Sequence, residues 1–351
     1  ALATTHPDET LNALETGKPY QLKMGWFNSS NFLSPTNSAQ PDRWYEALKK
    51  LEFNVVQDTF MTPTAMALAD IFLPLPTFAE HDGVVLTHYG RNAVFAGAMN
   101  KALTVGETKS DLEVCFELGK RLNPEAWPWE TVSEFFSEQL EPDLGFGFEE
   151  LRKKGLWQPG YTYKKYEKGL LRFDGEPGFN TVTGLVELNS TLFESWGDDA
   201  LPYHQEPPYS VYSTPELAQE YPLTLTTGAR KYTSFHSEHR QIKTLREIDP
   251  NPELELHPET AKELGIIDGD WVVVENMFGK ARFVAKVTET IHPKVVHATH
   301  GWWFPEKEAE EPSLFGVWES NVNTLMPHDH TGKLGFGDTF KSILCKVYKE
   351  A

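Results

Sequence analysis

From Tyr221 onward the chain alternates apolar and polar residues in short runs punctuated by Gly, Pro, Asn and Asp, and few folds accept that pattern. Leu223-Thr224-Leu225-Thr226, Trp271-Val272-Val273-Val274, Ala281 to Val287 and Lys294 to His297 read as strands. Their close spacing predicts a compact β-barrel carrying one or two short helices, such as Pro258 to Leu264. Inside it, Leu264-Gly265-Ile266-Ile267-Asp268-Gly269-Asp270 ends a helix on glycine and turns into a strand, which Met277-Phe278-Gly279 reverses.

The first third follows a different rhythm. An apolar strand at Leu22 to Phe27 meets the polar turn Asn28-Ser29-Ser30-Asn31, and a helix follows with Pro41 near its first turn. Trp44, Ala47, Leu48 and Leu51 recur at i, i+3, i+4 and i+7, which lays one apolar stripe against a sheet. Phe53 to Asp58 is the second strand, Thr62-Pro63-Thr64 caps the next helix, and Ile71-Phe72-Leu73 is the third strand. Strand and helix alternating at this spacing make a parallel α/β unit. From Val84 to Tyr203 the pattern is less regular. One helix is expected near Ser110-Asp111, carrying Leu112, Cys115, Phe116 and Leu118, another near Trp129 and Thr131, then short strands from Gly175 to Ser190 and an extended linker at Pro202, Pro207 and Pro208.

Composition excludes several roles. The 32 basic and 51 acidic residues leave a formal charge of -19, which repels nucleic-acid backbones and acidic lipid, and no basic patch overrides it. The longest apolar runs fall far short of the roughly 20 residues a membrane helix needs. Cys115 and Cys345, far apart and without CxxC spacing, build neither an iron–sulfur cluster nor a cysteine zinc site; both are expected to be buried free thiols. Ala-Leu-Ala-Thr-Thr at the start carries no visible export signal, and with no initial Met both periplasm and cytoplasm stay open.

Chemistry-bearing residues gather at four places. Thr226-Thr227-Gly228-Ala229-Arg230 puts a glycine and an arginine directly after a strand, ahead of His236, Ser237 and His239: glycine allows close backbone approach and arginine grips anionic oxygens in a fork. The plain alternative is a polar barrel loop. His300-Gly301-Trp302-Trp303-Phe304-Pro305 is an aromatic run, followed after the acidic stretch Glu306 to Glu311 by Asn321 and Asn323, whose amides donate and accept together. Core packing is the alternative for Trp302 and Trp303. Asn28-Ser29-Ser30-Asn31 and Gln57-Asp58 end consecutive parallel strands, where ligands of open sheets bind, and a carboxylate such as Asp58 can accept from both guanine donors. Asp58 as a simple turn residue is the alternative. His328-Asp329-His330 lacks further ligands to complete a metal shell and reads as a solvated loop.

Together these pieces resemble the DMSO reductase family of molybdenum and tungsten enzymes, over almost everything from Leu22 to Val347. TTGARKYTSFHSEHR from Thr226, LELHPETAKELGIIDGDWVVVENMFG from Leu254, HGWWFPE from His300 and SNVN from Ser320 are similar to its cofactor-closing C-terminal domain. NVVQDTFMTPTAMALADIFLPLPTFAEHDG is similar to its nucleotide-binding third domain, ending with Glu80 and Gly83. Phe179 to Leu188 resembles the family's link into the last domain, with Thr183-Gly184-Leu185 where Ser-Gly-Lys is usual.

The resemblance implies a Rossmann-like parallel α/β unit followed by a double-psi β-barrel. It divides the chain into a nucleotide-binding portion at 1–85, a mixed α/β return segment and linker at 86–217, and a barrel domain at 218–351. It implies molybdopterin guanine dinucleotide with Mo or W as cofactor, and two-electron oxygen-atom or hydroxyl transfer. Some members hydrate or reductively dehydroxylate instead. Asp58, Thr62 and Thr64 are implied as contacts to one guanosine, with Asn28 and Ser29 beside them. Gly228, Arg230, His236, Ser237, His239, Trp302, Asn323 and Lys341 are implied for the other arm, where the segment from Gly332 to Lys341 completes the pocket. The metal's own ligand and any iron–sulfur cluster belong, in the family, to an N-terminal part not located here. The implied partners are therefore that N-terminal half and an electron-transfer subunit, and the chain alone is not expected to turn over. A non-catalytic cofactor-binding module is the rival reading.

Overall fold

The computed structural model describes residues 5–34, 39–86, 95–160, 162–328, 332 and 341–351. Contacts divide the chain into two units, Ala1–Phe72 with Tyr203–Ala351, and Leu73–Pro202.

The first unit begins with helix α1 (Pro7–Thr16), capped by the His6 ring and closed at Gly17 in the left-handed region. Strand β1 (Met24–Asn28) pairs in parallel with β2 (Phe53–Asp58), Met24 opposite Phe53 and Asn28 opposite Gln57. Between them, α2 (Pro41–Leu48) buries Trp44, Ala47 and Leu48, the expected stripe; Leu51 lies beyond the helix and is half-buried. Helix α3 (Pro63–Leu68) starts where Thr62 Oγ1 accepts from the Ala65 amide, 3.3 Å, and leads to β3 (Ile71–Pro74), giving sheet order β1-β2-β3. Leu11, Phe27, Trp44, Leu48, Val56 and Leu68 form the core on one face of this sheet.

The second unit holds a small antiparallel sheet of β4 (Gly83–Leu86), β5 (Ala96–Met99) and β6 (Leu156–Trp157). Helices Asp111–Leu122, Val132–Leu144 and Phe148–Lys154 accompany it, and Ala96, Leu140, Phe148 and Leu151 are its buried centre. Ser110 and Glu113 make a reciprocal capping box and Thr131 caps the next helix, as their positions in the sequence suggest. Two expectations fail here. Gly175 to Ser190 forms turns, not strands: Gly178 and Gly184 take positive φ, and the Phe179 amide closes back on the Gly184 carbonyl at 2.8 Å, leaving Val182, Leu185, Val186 and Leu188 exposed. Cys115 is exposed, because its helix turns Phe116 and Gly119 inward instead.

Back in the first unit, β7 (Leu223–Thr227), β8 (Glu253–Leu256), β9 (Trp271–Glu275), β10 (Lys280–Val287), β11 (Val295–Ala298) and β12 (Ile343–Lys349) close a barrel in the order β10-β8-β11-β7-β12-β9. The pairs β7/β11 and β8/β10 are parallel and the others antiparallel, the mixed pairing of a double-psi barrel. Alternation fills its interior with Leu223, Leu225, Leu254, Leu256, Val272, Val274, Phe283, Val296 and Cys345, each apolar chain of this size contributing about 1.5–3 kcal/mol on burial. Helix Pro258–Leu264 forms within the bounds expected and ends on Gly265 in the left-handed region. Strand β8 is masked in the sequence by its glutamates: Glu253 and Glu255 point outward to Lys286 at 3.2 and 3.3 Å while Leu254 and Leu256 fill the core. No helix among the described residues is long and apolar enough to cross a membrane.

Candidate functional site

Parallel strands deliver their carboxyl ends to one edge, and the long connections of the barrel meet that edge within the same unit. Asn31, just past β1, donates to Ser237 Oγ at 3.3 Å and accepts from Thr64 Oγ1 at 3.0 Å, and Thr64 in turn accepts from the Leu33 amide at 3.0 Å. Asn321 and Asn323 donate to the Leu33 and Ser34 carbonyls at 2.8 and 3.2 Å. The junction between sheet end and barrel loops is thus sealed by buried polar bonds, which hold strongly because each partner would be costly to leave bare.

Around this seal the candidate residues separate by exposure. Asn28 and Ser29 are exposed at the tip of β1, Ser29 with φ 47 and its amide on the Gln57 carbonyl. Asp58 ends β2 half-buried. Burial pushes its carboxyl above the usual range against the Phe60 amide bonding it at 3.3 Å, and the Glu238 carboxylate adds to the rise. Thr62 is buried and committed to its cap.

On the barrel side, β7 ends in Thr227 and Gly228, the latter at φ 94. A Cβ at Gly228 would run into Lys341 Nζ, which donates to the Thr227 carbonyl. Glycine here lets the Lys341 ammonium lie against the turn out of β7. Arg230 is exposed, its guanidinium 4.7 Å from the Phe235 ring centre, and His239 is exposed at φ 69. Ser237 is buried. His236 Nδ1 meets His300 Nε2 at 2.8 Å, and His300 Nδ1 is buried without a hydrogen-bond partner among the described residues. Burial first, then the nearby charges of His236, Arg240, Lys341 and His297, hold His300 down to about 4, so its ring is neutral at neutral pH.

Two candidates are already enclosed by protein. The Trp302 ring is 0% exposed, lying between the guanidiniums of Arg240 and Arg246 at 4.1 and 4.5 Å. The Asn323 amide is spent on Ser34. Both can shape a pocket by fixing its walls. His328, expected in a solvated loop, is instead buried, 3.5 Å from Asp8 Oδ1, because helix α1 packs over it. Asp329 and His330 lie outside the described residues, as does 333–340 of the segment expected to complete the pocket. No group of three or more His, Cys, Asp or Glu suited to a metal occurs among the described residues. Sequence reasoning placed Asn31 at the strand end where ligands bind but did not single out Arg240 or Ser34, and the hint for Arg240 was its place at the close of the run from His236.

Two family models match: a molydopterin dinucleotide binding domain over residues 223–344 and a molybdopterin oxidoreductase over residues 3–121. The chain belongs to the DMSO reductase family of molybdopterin enzymes. It is 32% identical over 350 residues to acetylene hydratase of Syntrophotalea acetylenica, covering 98% of this chain and 46% of that protein. It is 31% identical over 408 residues to dopamine dehydroxylase of Eggerthella lenta, covering 96% of this chain and 39% of that protein. The structure of acetylene hydratase from Pelobacter acetylenicus superposes with a TM-score of 0.87 at 31% identity, covering 99% of this chain and 47% of that one. The chain spans about half the length of these relatives or less.

For a molybdopterin dinucleotide, the residues present fit. A glycine turn on which the Lys341 ammonium closes, the exposed guanidinium of Arg230 two residues on, and a buried ring nitrogen without a partner among the described residues suit a ligand that is anionic and rich in hydrogen-bonding atoms.

Proposed function

We propose that this chain forms the cofactor-enclosing walls of a molybdenum or tungsten oxidoreductase that carries two molybdopterin guanine dinucleotides. Asp58, with Asn28, Ser29 and Thr62 around it, takes one guanosine. Gly228, Arg230, Lys341, His236 and His239 line the place of the other arm, and Ser237, Trp302 and Asn323 fix its walls. The observation that carries the reading is the sealed junction itself, which holds the connection after β1, and through Thr64 the helix after β2, against the barrel connections. Bound there, the cofactor supplies two-electron oxygen-atom or hydroxyl transfer, while the chain binds and orients it. Any iron–sulfur cluster, the metal's own ligand and an electron-transfer subunit belong to polypeptide beyond these residues.

A second reading, hydration or reductive dehydroxylation, is supported by the similarity to acetylene hydratase and dopamine dehydroxylase. Calorimetric titration with guanosine 5′-diphosphate tests the shared core of both. Asp58→Asn replaces one acceptor by a donor facing guanine's donors, so binding is expected to weaken by at least about tenfold. Equal affinity for the two proteins would remove Asp58 from the guanosine site. Metal and pterin analysis of the whole polypeptide separates an enzyme from a non-catalytic module.

A further inference from the structure

Arg240 is 3% exposed, yet among the described residues no carboxylate forms an ion pair with it. Its partners are three carbonyls: Nε donates to Gly301 O at 2.9 Å, and Nη2 to His300 O at 3.2 Å and His236 O at 3.4 Å. Its plane lies 4.1 Å from the centre of the Trp302 ring. Burial, with Arg246 close by and only partial relief from Asp249 and Glu238, lowers it to about 9. A buried cation with no carboxylate in direct ion-pair contact is expensive to keep out of water, so its hydrogen bonds have to compensate. Here the bonds have a common feature. Two of the three carbonyls belong to His236 and His300, the residues whose rings meet at 2.8 Å although they lie 64 positions apart.

We propose that Arg240 is a positioning residue: one planar guanidinium grips the backbone of both histidine-bearing segments and so locks His236 and His300 into a single hydrogen-bonded imidazole pair. A lysine cannot do this, because a point ammonium lacks the fork that reaches acceptors on two segments at once. The charge has a second effect. Arg240 and Lys341 disfavour a proton on His300, which has one ring nitrogen in the pair and one left over. That leftover nitrogen is the group the pair offers to a ligand. Only this last use rests on the proposed function. The pairing is a property of the chain itself.

The test is nitrogen-15 imidazole NMR of the 351-residue chain labelled in histidine, titrated between pH 4 and 8. The wild type is expected to show coupled His236 and His300 rings, with His300 neutral through neutral pH. Arg240→Lys keeps a cation but loses the fork: the pair's signature is lost while His300 stays neutral and the barrel amide spectrum is preserved. Arg240→Gln removes the charge as well, and the His300 titration moves up by about one pH unit. If both variants fold and keep the wild-type pair and titration, Arg240 only packs on Trp302 and the proposal is overturned. Should neither fold, His236→Gln leaves every Arg240 side-chain bond in place, since that variant keeps its backbone carbonyl. An unmoved His300 Nε2 resonance in it overturns the pair. Guanosine diphosphate binding through Asp58 is read separately, so failure of either idea is distinguishable from failure of the other.

Discussion

The side-chain amide of Asn323 donates to the carbonyl of Ser34 across 289 positions of sequence, 3.2 Å away and out of solvent. Asn321 does the same to Leu33 at 2.8 Å, and the Gln40 amide returns a bond to the Asn323 carbonyl at 3.2 Å. Three bonds in one strip make the connection after β1 and the segment after the acidic stretch a single wall. Positioning of the candidate site depends on that wall, because Asn31 reaches Ser237 from the same connection.

Removing one of these amides leaves a buried carbonyl bare. Asn321→Ala and Asn323→Ala are each expected to lower stability by about 1–3 kcal/mol, read as a drop in the midpoint of urea unfolding. The double variant is expected to lose less than the sum, since the neighbouring bonds share one wall. Single variants that unfold with the wild-type midpoint would show that water replaces the amides at no cost.

Acid should weaken the fold through His300. Its unfolded value is near 6.5 and its folded value about 4, so between these the unfolded chain binds the extra proton. Stability from this group is complete above about pH 6.5 and is lost as pH falls toward 4, by roughly 3 kcal/mol in all. The check is the difference between wild type and His300→Gln: the variant lacks this part of the slope. Parallel stability curves for the two proteins over that window would refute the assignment.

Much of this was legible because local and global signals agreed. Phe53 to Asp58, the Thr62-Pro63 start and Pro258 to Leu264 each carry their own cap or periodicity, and each forms where expected. What was not legible depends on partners distant in sequence. Glu253-Leu254-Glu255-Leu256 becomes a strand through its ladders to β10 and β11, which bury Leu254 and Leu256 and leave the two carboxylates outside to pair with Lys286. Val182 to Leu188 has strand-like residues but no neighbouring ladder. Arg240 reads as one more surface arginine until the carbonyls of His300 and Gly301, some sixty positions away, are seen to enclose it. Trp302, which the resemblance implies for the cofactor and for which core packing was the alternative, has its ring enclosed beside that same arginine.

The two thiols should differ sharply. Cys115 is exposed on its helix, while Cys345 sits in the barrel interior, where burial pushes its thiol far above the ordinary range. Thiolate is the reactive form, so one equivalent of a disulfide reagent is expected to react with the native chain and two after denaturation. Cys115→Ser is expected to leave the native protein inert. Rapid reaction of two thiols in the native state would mean that the barrel opens at Cys345.

Gly228→Ala separates the Lys341 contact from the fold. At φ 94 an alanine is strained, and its methyl group would displace the Lys341 ammonium from the Thr227 carbonyl. The strain costs about 1–2 kcal/mol, and Gly265→Ala, at φ 65 with open space around it, should cost a similar amount at the end of a helix. The two differ in what they do to an anion. Only the first displaces the Lys341 ammonium, so calorimetry with inorganic pyrophosphate should show affinity falling about tenfold in Gly228→Ala and unchanged in Gly265→Ala. Equal losses in both would trace the effect to general destabilisation. Equal retention in both would mean that anions bind elsewhere, and that Gly228 serves only the turn out of β7.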